Sequence, residues 1–195
     1  MACRPSPIQS SQTCANEWDG SAQPKGLVIP HDSIQSCGRM KDQFAAEVAE
    51  EGDDPEIKAI LLEVCHATRM GFVGVARVTE ERWIAAQVVD RIEFGLNPGE
   101  ELDVKKTICD DIRECGQAII IDRIADDPEW RKHPVPALYG FESYASIPIF
   151  LADGSFYGTL CAIDPEPRTL SGPETIALLK SCAERVATIL SEKRS

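Results

Sequence analysis

Apolar residues recur at helical spacing near both ends of the patterned part of the chain. In residues 55–69 they fall at i, i+3, i+4, i+7 and i+8, which is typical of a helix with one apolar face. Asp54 followed by Pro55 is a favourable helix start, because aspartate caps the first turn and proline is tolerated within that turn. The motif Ser171-Gly-Pro-Glu174 has the form of a capping box, so another helix is predicted from there to about Lys193.

Short β-branched and apolar runs lie between these two stretches. Residues 72–79 and 83–89 are separated by three polar residues, a length that suits a hairpin turn. Residues 143–150 and 156–163 flank Asp153-Gly154, and Asp-Gly between two apolar runs is a strong hairpin signal. Both pairs are therefore predicted to be antiparallel strands.

The region between the two hairpins has a mixed pattern. Residues 105–114 predict a helix that Gly116 ends, and residues 118–121 predict a buried strand. Residues 126–139 are broken by prolines and predict an irregular or only briefly helical segment. Segregated hairpins with few strand–helix–strand crossovers indicate an α+β domain, with an antiparallel sheet covered by helices.

Composition divides the chain into a tail and one folded domain. The length of 195 residues suits a single domain. Residues 1–39 are rich in serine, proline, glutamine and glycine and show no helical or strand period, which predicts a disordered N-terminal tail. Residues 40–53 predict an acidic linker or a short helix, and the domain itself is expected at residues 54–192.

Charge and cysteine content narrow the class of partner. The 20 lysines and arginines against 32 aspartates and glutamates give a net charge of −12 at pH 7, which disfavours nucleic acid and anionic membranes. No apolar run has the length of a membrane span and no secretory signal is visible, so we expect a cytoplasmic protein. The 8 cysteines form no Cys-x-x-Cys pair and indicate reduced, mostly buried thiols.

Two strand sequences and the loop before them carry a family resemblance. Tyr144-Ala-Ser-Ile-Pro-Ile, the Asp-Gly turn and Phe156-Tyr-Gly-Thr-Leu-Cys-Ala-Ile-Asp164 closely resemble the end of a GAF domain. Upstream, Asp126-Asp127-Pro128-Glu-Trp and His133-Pro134 resemble the preceding loop in the GAF domains of bacterial sensor histidine kinases. The similarity extends over most of the predicted domain.

The resemblance implies a sheet with helices on one face and, on the other, a pocket covered by the irregular loop segment. GAF domains are sensory modules that bind small molecules or a bilin chromophore and commonly relay a signal through their terminal helices. Because no kinase or cyclase sequence follows, we expect output through a histidine kinase, another signalling partner or a homodimer. A heptad-like seam in the last helix supports a homodimer. Its members are Ile176, Leu179, Ala183, Val186 and Leu190.

The candidate ligand-binding residues come from strand alternation and from the loop. Tyr144 and Ser146 share one face of their strand, and Thr159 shares the corresponding face of the partner strand with Cys161 and Ile163. The alternatives are that Tyr144 reaches solvent, that Ser146 bonds the backbone and that Cys161 is a core residue. Three loop aromatics are candidates for a lid over a planar ligand or for anchors of the loop. The full candidate set is Trp130, Tyr139, Phe141, Tyr144, Ser146, Thr159, Cys161 and Ile163.

A bilin photoreceptor is one alternative function. Bilin-binding GAF domains carry a cysteine in the segment before the Tyr144 strand, and residues 130–133 contain none. Covalent bilin attachment at that place is therefore disfavoured, although Cys3 or Cys14 leaves a distant analogy to phytochromes.

A cysteine-dependent enzyme similar to free methionine sulfoxide reductase is the other alternative. Its chemistry needs an attacking thiolate and a resolving thiol, for which Cys109, Cys115 and Cys161 are the candidates in the core region. We expect a sensory domain that is not an enzyme, with no catalytic residue and no metal site, because no other chemical motif is visible. The sequence identifies neither the small-molecule ligand nor a cofactor.

Overall fold

Six strands form an antiparallel sheet at the centre of residues 42–194, the part of the chain that this computed structural model describes. They are β1 Phe72–Val78, β2 Trp83–Asp90, β3 Glu101–Leu102, β4 Ile119–Ile121, β5 Ser143–Phe150 and β6 Phe156–Asp164. Their order across the sheet is β3-β2-β1-β6-β5-β4. The predicted α+β class with an antiparallel sheet is confirmed, whereas the predicted tail, residues 1–39, lies outside the described residues.

Three of the described helices cover one face of the sheet. The helices are α1 Gln43–Gly52, α2 Pro55–Thr68, α3 Cys109–Cys115, α4 Pro134–Tyr139 and α5 Pro173–Lys193. The apolar faces of α1, α2 and α5 pack with side chains of the central strands into the larger of two buried clusters. Asp54 caps α2 as its sequence predicts, because Asp54 Oδ1 accepts from the Glu56 amide at 2.8 Å and from the Ile57 amide at 3.3 Å.

The heptad-like seam of α5 faces the interior of this domain. Leu179, Ala183, Val186 and Leu190 are all buried in the cluster between α5, α2 and the sheet. An amphipathic stripe of this kind serves a coiled coil and a sheet-covering helix equally well. Four of the five seam residues are therefore occupied within the chain, and Ile176 is half-buried.

The helix predicted over residues 105–114 is broken in two. Residues Val104–Lys106 form a single 3-10 turn, and α3 begins at Cys109. Between them Thr107 is extended, with φ −127° and ψ 150°, and its hydroxyl donates to the Val104 carbonyl at 2.8 Å. Because threonine bonds the backbone locally at little cost, it competes with helix continuation. The break places Cys109 in the first turn of α3, against the sheet.

Two other local predictions need correction. The strand over residues 118–121 is an edge strand, in which Ile119 and Ile120 are half-buried, and not a buried one. Ser171 does not form the predicted capping box, because its hydroxyl donates to Asp122 Oδ2 at 2.7 Å and Gly172 takes the N-cap position of α5. Long-range pairing with Asp122 outcompetes the local cap.

Candidate functional site

The sheet face opposite α1, α2 and α5 carries the second buried cluster, with a small cavity inside it. Two segments cover this face: residues 94–109, which lead into α3, and residues 135–141, which include most of α4. The cavity has a volume of about 50 Å³. Its walls are Phe72, Trp83, Phe94, Leu102, Thr107, Ile108, Cys109, Val135, Tyr139, Phe141, Tyr144, Cys161 and Ile163.

The register of β5 and β6 places the polar residues of these strands side by side. Ser146 lies opposite Cys161, and Tyr144 lies opposite Ile163. Thr159 precedes Cys161 by two residues and therefore points to the same face. The alternation predicted from the sequence thus brings these side chains together under the covering segments.

Cys109 adds a thiol to this group from the first turn of α3. Thr159 Oγ1 donates to Cys109 Sγ at 3.3 Å. Tyr144 Oη and Ser146 Oγ lie 3.6 Å and 3.9 Å from the same sulfur. The Cys161 thiol is also within hydrogen-bonding reach of it. Three hydroxyl groups and a thiol therefore surround one buried sulfur atom. Thr159 donates to it, whereas the Cys161 S–H donates to the Gly74 carbonyl oxygen at 3.5 Å.

These donors set the ionisation of the cluster. Hydrogen bonding from Cys161, and then from Thr159 and Tyr144, lowers the pKa of Cys109 to about 6 even though burial opposes the charge. The hydrogen bond to Cys109, together with burial, raises the pKa of Cys161 well above its ordinary range. Burial chiefly raises the pKa of Tyr144 as well. The proton that leaves this cluster near neutral pH therefore leaves Cys109.

Two buried thiols on the helix side of the sheet differ from Cys109 in the direction of their pKa shift. Cys65 in α2 and Cys182 in α5 are both packed in the larger cluster. Burial raises the pKa of Cys65 and is also the main cause of the raised pKa of Cys182. Burial thus favours the protonated thiol at both positions, so the hydrogen bonds to Cys109 are what distinguish it.

Trp83 contributes an unsatisfied donor to the cavity wall. Its indole is 3% exposed, and its N–H makes no hydrogen bond of regular geometry with any residue in the described range. It lies close enough to Cys109 to favour the thiolate and so helps lower the pKa of that residue. Buried donors usually have partners, and an acceptor atom of a bound molecule would supply one here.

The eight sequence-predicted residues divide into three groups. Tyr139, Phe141, Tyr144, Cys161 and Ile163 line the cavity. The other two strand residues, Ser146 and Thr159, lie beneath it and face Cys109 Sγ. Trp130 does not line it and instead packs on the His133 ring, with 5.1 Å between ring centroids.

Two residues of the site were not among the predicted set. The sequence indicates Cys109 only as a candidate thiol of an enzyme, and it places Trp83 only in a strand. For Cys109, the sequence signal is weak: the residue stands two positions after the threonine that breaks the helix. For Trp83, its place as the first residue of a hairpin strand carries no signal of function.

A second concave surface lies on the helix side, between α5 and the β4–β5 edge. It is an open groove of about 660 Å³. Its walls are Gly116, Gln117, Ala118, Ile147, Pro148, Phe150, Lys180, Ala183, Glu184 and Ala187. These walls contain no thiol and no imidazole, so the chemistry of the domain concentrates on the opposite face.

Neither a metal site nor a membrane span is found in the described part of the chain. Within residues 42–194, no group of three or more histidine, cysteine, aspartate or glutamate side chains is arranged to hold a metal ion. None of the helices in this range combines the length and the apolar character needed to cross a membrane.

Comparison with known proteins identifies the family. The family model of the GAF domain matches residues 55–190. The chain belongs to the GAF domain family. The match covers all six strands of this GAF domain, together with α3 and α4, which contribute to the cavity wall. It confirms the resemblance drawn from the β5 and β6 sequences.

Solved structures agree with this GAF fold at low sequence identity. The type II free methionine-R-sulfoxide reductase from Thermoplasma acidophilum is 12% identical, with TM-score 0.55, covering 77% of this chain and 96% of that one. The GAF domain of Acinetobacter phosphoenolpyruvate-protein phosphotransferase is 10% identical, with TM-score 0.55 and coverages of 81% and 97%. The red/green cyanobacteriochrome NpR6012g4 is 14% identical, with TM-score 0.60 and coverages of 76% and 96%. A search of curated proteins found no significant match.

Proposed function

We propose that this GAF domain is a sensory module that binds a small molecule in the cavity above Cys109. One observation carries the proposal: a buried thiol surrounded by hydroxyl groups lies at the wall of a cavity, beside an indole N–H without a regular partner in the described range. An apolar wall with a few convergent polar groups is the usual composition of a ligand site. Family membership supports a sensory role.

The size of the cavity bears on the class of ligand. Sites for drug-sized molecules enclose roughly 300–1,000 Å³, whereas this cavity has about 50 Å³. Its volume corresponds to a few water molecules. We therefore propose a ligand of a few non-hydrogen atoms with a hydrogen-bond acceptor for Trp83. A bilin is disfavoured, because it exceeds this volume and residues 130–133 carry no cysteine for its attachment.

Ile163→Phe tests the proposed ligand site. Ile163 lines the cavity and is 8% exposed, so a phenyl ring in its place fills the space that a ligand needs. We expect at least one of formamide, dimethyl sulfoxide and propan-2-ol to raise the melting temperature of the parent chain, and the increase to disappear in Ile163→Phe. At about a hundred times the Kd, binding adds about 2.7 kcal/mol to the free energy of unfolding.

Phe150→Ala is the matched control for Ile163→Phe. Phe150 is 45% exposed on the groove at the helix side, so its truncation should lower stability slightly and keep the increase in melting temperature. If none of the three probes stabilises the parent chain, or if they stabilise Ile163→Phe equally, the proposed site is wrong.

The proposed route of output is through the helix layer. The helices α2 and α5 pack side by side and are joined at their exposed surface by the Arg185–Glu63 ion pair at 2.7 Å. The sheet connects this layer to the cavity, because β5 and β6 carry side chains of both buried clusters. We propose a cytoplasmic signalling role in which the exposed surfaces of α2 and α5 contact a second copy or a partner such as a histidine kinase. Sedimentation with and without a stabilising probe separates a homodimer from a partner-dependent output.

A thiol-dependent enzyme is the second candidate function. The observation that favours it is the pairing of Cys109, as a thiolate, with the Cys161 thiol. This is the combination that an attacking and a resolving cysteine require. Loss of free methionine sulfoxide in the presence of the chain and dithiothreitol would support the enzyme. The sensory proposal expects no turnover above that of Cys109→Ser.

A further inference from the structure

We infer that Cys109 and Cys161 form a dithiol that a hydroperoxide oxidises to an intramolecular disulfide. This inference deepens the proposed function, since it rests on the same cavity admitting a small molecule, and it adds a modification site to the domain. It stands on the placement of the two sulfurs, the cavity beside them and the donors around them.

The strand register brings the two cysteines together. Cys109 Sγ contacts Thr159 Oγ1 at 3.3 Å and Ser146 Oγ at 3.9 Å. Thr159 and Ser146 are the neighbours of Cys161 on the same sheet face, one along β6 and the other directly opposite in β5. The Cys109 sulfur therefore lies close to Cys161, within hydrogen-bonding reach of its thiol. The Cys161 S–H itself donates to the Gly74 carbonyl oxygen at 3.5 Å.

The cavity offers the oxidant a place beside both sulfurs. Cys109 and Cys161 belong to its wall, and its volume of about 50 Å³ suits a molecule of a few non-hydrogen atoms. The indole N–H of Trp83 lines the same wall without a regular partner in the described range. It is positioned to donate to a peroxide oxygen and to stabilise the charge on the oxygen that leaves.

The first step is a two-electron oxidation of sulfur by the hydroperoxide, ROOH. The Cys109 thiolate attacks the terminal oxygen, an S–O bond forms and the O–O bond breaks. The leaving alkoxide, or hydroxide when the oxidant is hydrogen peroxide, takes up a proton and departs as an alcohol or water. Cys109 becomes a sulfenic acid, and the oxidant is reduced.

In the second step Cys161 resolves the sulfenic acid. The sulfur of Cys161 attacks Cys109 Sγ, an S–S bond forms and the S–O bond breaks, and the oxygen leaves as water with the proton that Cys161 gives up. The net reaction turns two thiols and ROOH into a disulfide, ROH and water. The new bond ties α3 to the central strand β6 and replaces the contacts of Cys109 with Thr159 and Tyr144.

Peptide mapping of the full chain tests this inference without any substitution. The reduced protein is treated with one equivalent of hydrogen peroxide, remaining thiols are alkylated in denaturant, and the unreduced digest is analysed by mass spectrometry. We expect a linked peptide pair containing Cys109 and Cys161. The buried thiols Cys65 and Cys182, which lack a comparable ring of donors, serve as internal controls and should remain alkylated.

Variants and a larger oxidant sharpen the result. In Cys161→Ser, dimedone should trap a sulfenic acid at Cys109, and Cys115→Ser should leave the linked pair unchanged. Cumene hydroperoxide, which exceeds the cavity, should form the link more slowly than hydrogen peroxide. The inference is overturned if Cys109 stays reduced while Cys65 or Cys182 oxidises, if Cys109 oxidises without linking to Cys161, or if both oxidants react at the same rate.

The outcome is separable from that of the ligand proposal. Formamide and propan-2-ol do not oxidise thiols, so their effect on the melting temperature reports only on binding. If a probe stabilises the chain and no linked pair forms, the disulfide is wrong and the ligand site stands. If the pair forms and no probe binds, the ligand site is wrong and the dithiol stands.

Discussion

The Thr159→Val, Cys161→Ala double variant is expected to lose most of the Cys109 thiolate at pH 7. It removes the two hydrogen bonds that contribute most to the low pKa of Cys109 and leaves the burial that opposes ionisation. A pKa of about 6 leaves Cys109 mostly ionised at pH 7, whereas an ordinary thiol with a pKa near 8.5 is about 3% ionised. We therefore expect the reaction of Cys109 with methyl methanethiosulfonate at pH 7 to slow by about 30-fold.

Cys182→Ala is the matched control for the double variant. Cys182 is buried on the helix side, so its truncation removes a core sulfur without touching the donors of Cys109. The rate at Cys109, followed by peptide mapping, should remain at the parent value. Equal rates in the parent chain and in the double variant would show that the converging donors do not control the ionisation of Cys109.

The second large effect is expected at Gly158, in the middle of the sheet. An added Cβ there would lie 1.9 Å from the Ala76 carbonyl oxygen and 2.9 Å from the Val78 amide nitrogen, both backbone atoms of β1. Neither can move away without breaking the β1–β6 ladder. We expect Gly158→Ala to lower the free energy of unfolding by about 3–5 kcal/mol, measured by denaturant unfolding.

Gly172→Ser separates this clash from a general effect of adding a side chain. The nearest atom to a Cβ at Gly172 is Thr175 Oγ1 at 3.7 Å, an ordinary contact. Gly172 is also the N-cap of α5, where serine is a favoured residue. Its free energy of unfolding should stay the same or rise slightly. A loss at Gly158 no larger than about 1 kcal/mol would mean that β1 and β6 are less closely packed than described.

The sheet was predictable because its signals are local. The Asp153-Gly154 turn and the β-branched runs on either side specify a hairpin without reference to the rest of the chain. Strand alternation then relates Tyr144 and Ser146 to each other, because the period of two is a property of the strand itself. The shared face of these two residues therefore followed from the sequence alone.

The cover of the site was not predictable, because it depends on contacts between distant segments. Thr107 suits both a helix and the extended break that it adopts, and only packing of α3 on the sheet decides between them. The contact of Cys109 with Thr159 joins residues 50 positions apart. Trp130 was predicted at the site but packs on His133 instead. An aromatic residue in a loop does not specify which way its ring packs.

The ultraviolet absorbance of thiolate, titrated against pH in the parent chain and in Cys109→Ser, tests the central claim most directly. The difference between the two proteins isolates the ionisation of Cys109. We predict a step centred at about pH 6, with the absorbance rising as pH increases, since a lowered pKa means that the thiolate forms at lower pH. A difference curve that stays flat until the range of ordinary thiols, near pH 8.5, would contradict the account.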